Sequence, residues 1–261
     1  MLGKLLKYEV KSTGRIFVPL YGALAAISII ISLLFSPDSG MGGIVNGILL
    51  VLYFSLMVAI AVVTFVVIIQ RFYKNLLTDE GYLMFTLPVK TWQLVAGKLL
   101  IAMLWSVVSS VVAGLSVFLI MTATFGNFGE FIQMIQQGIH MLAQLEFNIW
   151  MTIFEVVLVM ILSLAANILL IYAAIGLGHI ANRRQILWSV VAYIAILTLL
   201  QIVTSLVMKI LDLSGVDFMQ MLSMQGQINL AIFGTMLLVV VTAVVCYVIT
   251  VLSLNKKLNL A

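Results

Sequence analysis

Charge is scarce in this chain: only 8% of its 261 residues are Asp, Glu, Lys or Arg, against about 25% in an ordinary soluble domain. Cysteine is scarcer still. Cys246 stands alone, which excludes a disulfide scaffold. That thiol and two distant histidines, His140 and His179, cannot build a zinc site without several carboxylates, so no metal site is expected. A phosphate loop of the form G-x-x-x-x-G-K-[ST] is absent too. Gly97-Lys98-Leu99 lacks both the earlier glycine and the hydroxyl that would hold magnesium. No catalytic residue stands out, no internal repeat or low-complexity linker divides the chain, and no interleaved basic and aromatic surface suggests nucleic acid.

What the chain has in excess is apolar surface. Hydrophobic residues make up 64% of it, and the mean hydropathy is +1.26. A soluble globule of this size buries only about three quarters of what its unfolded chain exposes, so the solvent for this chain is lipid. Crossing a hydrocarbon core of about 30 Å takes roughly 20 apolar residues. Six segments qualify: about 16–35, 44–70, 93–125, 149–178, 186–208 and 228–254. The first is not a cleavable signal, since it is too long and no small-residue cleavage site follows. The expectation is an all-α polytopic protein with one membrane domain over residues 16–261.

Charge asymmetry sets the orientation. Lys4, Lys7, Lys11 and Arg15 precede the first span. Arg71, Lys74, Lys90 and Lys98 surround the second connection, Arg183 and Arg184 occupy the fourth, and Lys256 and Lys257 follow the last. With six spans, all of these lie on one side. Lys209 alone falls on the other, among Asp38, Glu130, Glu146, Asp212 and Asp217. Both termini are therefore expected in the cytoplasm, and the net charge of +4 is a topology signal.

Between the spans, residues 1–15 read as an interfacial amphipathic helix. Its basic residues recur at 3, 4 and 4 positions and share a face opposite Leu2, Leu5, Leu6 and Val10. Glu9 falls within that apolar face, as a carboxylate reaching sideways to water or pairing with another cytoplasmic element or a partner. Residues 126–148 place Phe131, Ile135, Ile139 and Leu142 at helical spacing among Gln133, Gln136, Gln137 and His140, which reads as a surface helix on the other leaflet. Glu155 lies roughly 9 Å into the fourth span. Either it snorkels or is neutral, or it lines a substrate path together with Asn148 or with Asn167, placed on roughly the same face twelve residues on.

The second inner connection, residues 71–92, is richer than a turn requires. Asp79 and Glu80 open a short run, where carboxylates favour a helix N-terminus. Tyr82, Leu83, Met84, Phe85 and Leu87 follow, Pro88 stops it, and Thr91 is placed to cap the next helix. The expected result is a short cytoplasmic helix between the second and third spans that offers acidic and aromatic groups to another protein.

The segment Leu76-Leu77-Thr78-Asp79-Glu80-Gly81-Tyr82-Leu83-Met84-Phe85-Thr86-Leu87-Pro88-Val89 closely resembles the coupling loop of type-2 ABC exporter permeases from Gram-positive bacteria. Leu5-Leu6-Lys7-Tyr8-Glu9 resembles their opening, and six spans behind an amphipathic helix match their layout. The resemblance implies a bacterial cytoplasmic-membrane protein whose loop docks on separate cytoplasmic ABC ATPase subunits. Asp79, Glu80, Gly81, Tyr82, Phe85 and Pro88 would be the docking set, supported by Glu9. It further implies pairing with a second permease, identical or related, and ATP and magnesium held by the partner ATPase and not by this chain. The resemblance does not name the cargo; a small cavity with few charges would suit an amphipathic peptide, drug or lipid. A stand-alone secondary transporter, which would normally show discontinuous spans and paired intramembrane ionisable groups, and a non-transporting membrane scaffold remain the rival readings.

Overall fold

A backbone in hydrocarbon must satisfy its own N–H and C=O groups, so an apolar segment of this length becomes a helix. The computed structural model describes residues 2–34, 42–77, 91–124, 128–143, 148–180, 184–213 and 223–258. They form seven helices: α1 (Leu2–Leu34), α2 (Gly42–Leu77), α3 (Thr91–Thr124), α4 (Phe128–Ala143), α5 (Ile149–Gly178), α6 (Gln185–Leu213) and α7 (Met224–Leu258). No strand occurs among the described residues. All except α4 are long and apolar enough to cross a membrane, over Lys7–Leu34, Val45–Lys74, Thr91–Met121, Ile149–Gly178, Gln185–Val207 and Gln225–Asn255. The chain is a multi-pass membrane protein.

Five of the six expected spans end within about one helical turn of these bounds. The first differs. No helix break marks residue 15: α1 runs unbroken from Leu2 to Leu34. Its only proline, Pro19, removes one backbone bond, to the Arg15 carbonyl, and apolar Ile16, Phe17 and Val18 carry the helix across the junction. The amphipathic α4 forms where the spacing places it, with Gln133, Gln136, Gln137 and His140 exposed beside Met134, Ile135 and Ile139.

The chain divides into two compact units: residues 1–68 with 100–142, and residues 69–99 with 143–261. In the first unit, two clusters join α1, α2 and α3. One holds Phe17, Val67, Ile101 and Trp105; the other is built on Leu24, Ile31, Tyr53 and Ile60. Polar rungs fix the register. The Trp105 indole N–H donates to Thr13 Oγ1 at 3.0 Å. Tyr21 and Ser109 share a hydrogen bond of 2.7 Å, Thr64 and Ser109 one of 3.0 Å, and Tyr53 and Ser116 one of 2.8 Å. Residue numbers rise together along α1 and α3 but oppositely along α2 and α3, as successive crossings require. Between membrane helices such bonds matter because hydrocarbon is as apolar as the packed side chains; each contributes about 0.6 kcal/mol on average.

The second unit is organised on α5. Its pairing with α7 is parallel. The Asn148 backbone N–H donates to Gln225 Oε1 at 2.8 Å across a sequence separation of 77 residues. Twenty-eight residues further along both helices, a Cβ on Gly176 would lie 3.3 Å from Ser253 Cβ, the same separation. The register therefore holds over four heptads, the 3.5-residue repeat of coiled helices. Seam positions Glu155, Leu162, Leu169 and Gly176 on α5 face Ile232, Val239, Cys246 and Ser253 on α7, and all are buried or half-buried. Toward their C-terminal ends the seam turns small, with Ala166, Ala173, Ala243 and Thr250, which lets backbones approach. Helix α6 packs against the C-terminal end of α5, where Gly178 lies so close to Ser189 that any Cβ would run into its backbone.

Candidate functional site

The last turns of α2 and the first turns of α3 bracket the connection between the second and third spans, and both belong to the second unit. On α2, Phe72 and Leu76 stand one turn apart and are buried; on α3, Leu94, Val95 and Lys98 are buried. Phe72 stacks on Tyr172 of α5, with ring centroids 3.9 Å apart and planes 11° from parallel. Their exposures are 0% and 1%. Next to them, Tyr73 meets the His179 ring edge-on at 5.1 Å. The Tyr172 hydroxyl points at the Lys98 carbonyl at 3.5 Å, the long limit of a hydrogen bond. The Tyr247 hydroxyl of α7 donates to the Trp92 carbonyl at 2.8 Å.

Both ends of the connection are thus tied to the parallel α5/α7 pair. The α2 end is held by stacked rings and the α3 end by a tyrosine hydroxyl. Close-packed rings of this kind transmit strain. Sequence reading missed Phe72, Tyr73, Tyr172, His179, Trp92 and Tyr247 as a group. The available signal was that Tyr172 and Tyr247 place hydroxyls in the C-terminal halves of two largely apolar spans.

The expected docking residues Asp79, Glu80, Gly81, Tyr82, Phe85 and Pro88 lie outside the described residues. Glu9 is half-buried on α1. Its carbonyl accepts from the Thr13 hydroxyl, which in turn accepts from Trp105.

Glu155 and Asn167 do not share a face. Twelve residues at about 100° each leave them a third of a turn apart, and roughly 18 Å along the axis. Asn167 is exposed, its amide donating to the Ser163 carbonyl at 2.8 Å. Glu155 is half-buried on the α7-facing seam, and its Oε2 has no hydrogen-bond partner among the described residues. Asn148 caps α5, its side chain accepting from the Met151 N–H at 3.4 Å.

Comparison with protein families, curated proteins and solved structures gives no match.

Proposed function

We propose that this chain is the permease subunit of an ATP-driven exporter in the bacterial cytoplasmic membrane. It would work with separate ATPase subunits and a second permease, identical or related. The observation that carries the reading is the acidic and aromatic run from Asp79 to Pro88, set between helix ends that are locked to α5 and α7. A connection that merely reversed the chain would need neither. ATP and magnesium belong to the partner, whose closure pushes residues 75–88. The Phe72–Tyr172 stack and the Trp92–Tyr247 bond pass that displacement along the α5/α7 pair. Access to a cavity between the two permeases then alternates, and an amphipathic peptide, drug or lipid is carried outward.

The test isolates the tagged chain from its native membrane and measures ATP hydrolysis in the copurified complex. Activity should depend on both subunits, and Glu80→Ala with Tyr82→Ala should abolish it while leaving the permease folded. Undiminished association in that double variant would overturn the docking assignment. Labelling of a cysteine at position 82 from the extracellular side would overturn the whole reading.

A further inference from the structure

The seam between α5 and α7 changes character along its length. Its small-residue half is explained by close packing, but the other half is polar. Asn148, Thr152 and Glu155 lie at successive seam positions on α5, and Gln225 and Asn229 at successive seam positions on α7. In the 77-residue register, Asn229 stands beside Thr152, three residues from the level of Glu155, or about 4.5 Å along the axis. Among the described residues, two buried oxygens here have no donor, Glu155 Oε2 and Asn229 Oδ1.

The neighbouring polar groups are already engaged. The Thr152 hydroxyl donates to the Asn148 carbonyl at 3.2 Å, the Asn148 backbone N–H donates to Gln225 Oε1 at 2.8 Å, and Asn148 Oδ1 accepts from Met151. Two acceptors within one helical turn of the same level of the seam call for a donor, and a buried acceptor left without one is destabilising. Charge supports a cationic donor. The sequence segments that adjoin the starts of α5 and α7, and the end of α6, carry Glu146, Asp212 and Asp217 against Lys209 alone, a balance that attracts cations.

We infer that Glu155 and Asn229 form a binding site for the ammonium group of an amphiphile, with its alkyl chain lying along the apolar surface of α5 and α7. The carboxylate supplies the charge-assisted bond and the Asn229 carbonyl a second acceptor. This assigns a ligand class to Glu155 and deepens the transport reading, on which the role of the bound amphiphile as cargo rests. The binding itself needs no ATPase.

The experiment therefore uses the full chain alone, in nanodiscs of phosphatidylcholine, whose headgroup has no N–H donor. Calorimetric titration compares dodecylammonium with dodecyltrimethylammonium, two cations of equal charge and chain length of which only the first donates. Saturable binding is expected for dodecylammonium above the partitioning into empty nanodiscs, and at least about tenfold weaker binding for the trimethyl compound. Glu155→Gln, which keeps size and shape, should lose about tenfold or more, and Asn229→Leu several-fold. Both must retain the wild-type thermal transition, which separates loss of site from loss of fold. Replacing part of the lipid with phosphatidylethanolamine identifies the source of the ammonium. Competition with dodecylammonium means that a lipid headgroup occupies the site, and absence of competition means that a free amphiphile does.

Equal binding of the two cations, or unchanged binding in Glu155→Gln, overturns the site. So does an infrared carboxylic-acid band at neutral pH that disappears in Glu155→Gln, because Glu155 would then be a neutral acid supplying its own donor. Loss of partner-dependent ATP hydrolysis with intact amphiphile binding would count against the exporter reading and leave the site standing.

Discussion

Breaking the Phe72–Tyr172 stack tests whether the α2 end is mechanically joined to α5. In water-soluble cores a Phe→Ala change costs about 3–5 kcal/mol. That figure is too large here, because leaving a protein contact for lipid forfeits little hydrophobic free energy. Two terms survive. The ring pair itself contributes about 0.5–1.5 kcal/mol. Both rings are fully enclosed, so lipid cannot fill the gap, and a residual void of about 50 Å³ at about 24 cal/mol per Å³ adds about 1.2 kcal/mol. Phe72→Ala should therefore lose about 1.7–2.7 kcal/mol. Tyr172→Phe keeps the ring and removes only the 3.5 Å hydroxyl contact, so its loss should stay below about 0.5 kcal/mol. The stack, and not the hydroxyl, makes the joint. Equilibrium unfolding of the purified protein in mixed micelles, followed by circular dichroism, measures both. A double-mutant cycle with Phe72→Leu and Tyr172→Leu should give a coupling of about 1 kcal/mol. Additivity within about 0.3 kcal/mol, or a Tyr172→Phe loss as large as that of Phe72→Ala, refutes the argument.

The parallel register predicts a cross-link. With Cys246 replaced by Ser, cysteines at 176 and 253 should oxidise to a disulfide, since the 3.3 Å Cβ separation lies just under the usual range of about 3.5–4.5 Å. Cysteines at 166 and 253, about 15 Å apart along the helices, should stay open to a maleimide reagent. Gly178→Ala should destabilise by about 1–3 kcal/mol; Ser189→Ala should not rescue it, because the clash includes the Ser189 backbone. By contrast, Gly234→Ala meets nothing within 4 Å and should raise the thermal midpoint, by up to about 1 kcal/mol of helix propensity. Tyr247→Phe removes the 2.8 Å bond to Trp92 and should cost about 0.6 kcal/mol, while reducing partner-dependent ATP hydrolysis more than it reduces stability. An unchanged hydrolysis rate would argue against a mechanical role for that bond.

The amino-acid sequence by itself determined where the chain enters and leaves the membrane. Length and apolarity are one-dimensional properties, and the backbone's need to satisfy itself in hydrocarbon turns them directly into helices. The spans over α2 to α7 were legible for that reason, and α4 for its periodicity. The start of the first span was not, because α1 continues unbroken through Arg15 and Ile16, and hydropathy does not register helix continuity. Which helix touches which was decided only in three dimensions. A span that is apolar on every side carries no stripe marking its packed face, since neighbouring side chains and lipid are equally apolar. Glu155 was visible as an exception to that uniformity, but what stands near it was not. The helical period already separates it from Asn167, and Asn229 lies on another helix, within reach only through a parallel register set by Asn148 with Gln225 at one end and Gly176 with Ser253 at the other. The Phe72–Tyr172 stack is illegible for the same reason: two aromatic residues a hundred positions apart become a joint only when close packing, which no local pattern encodes, brings their faces together.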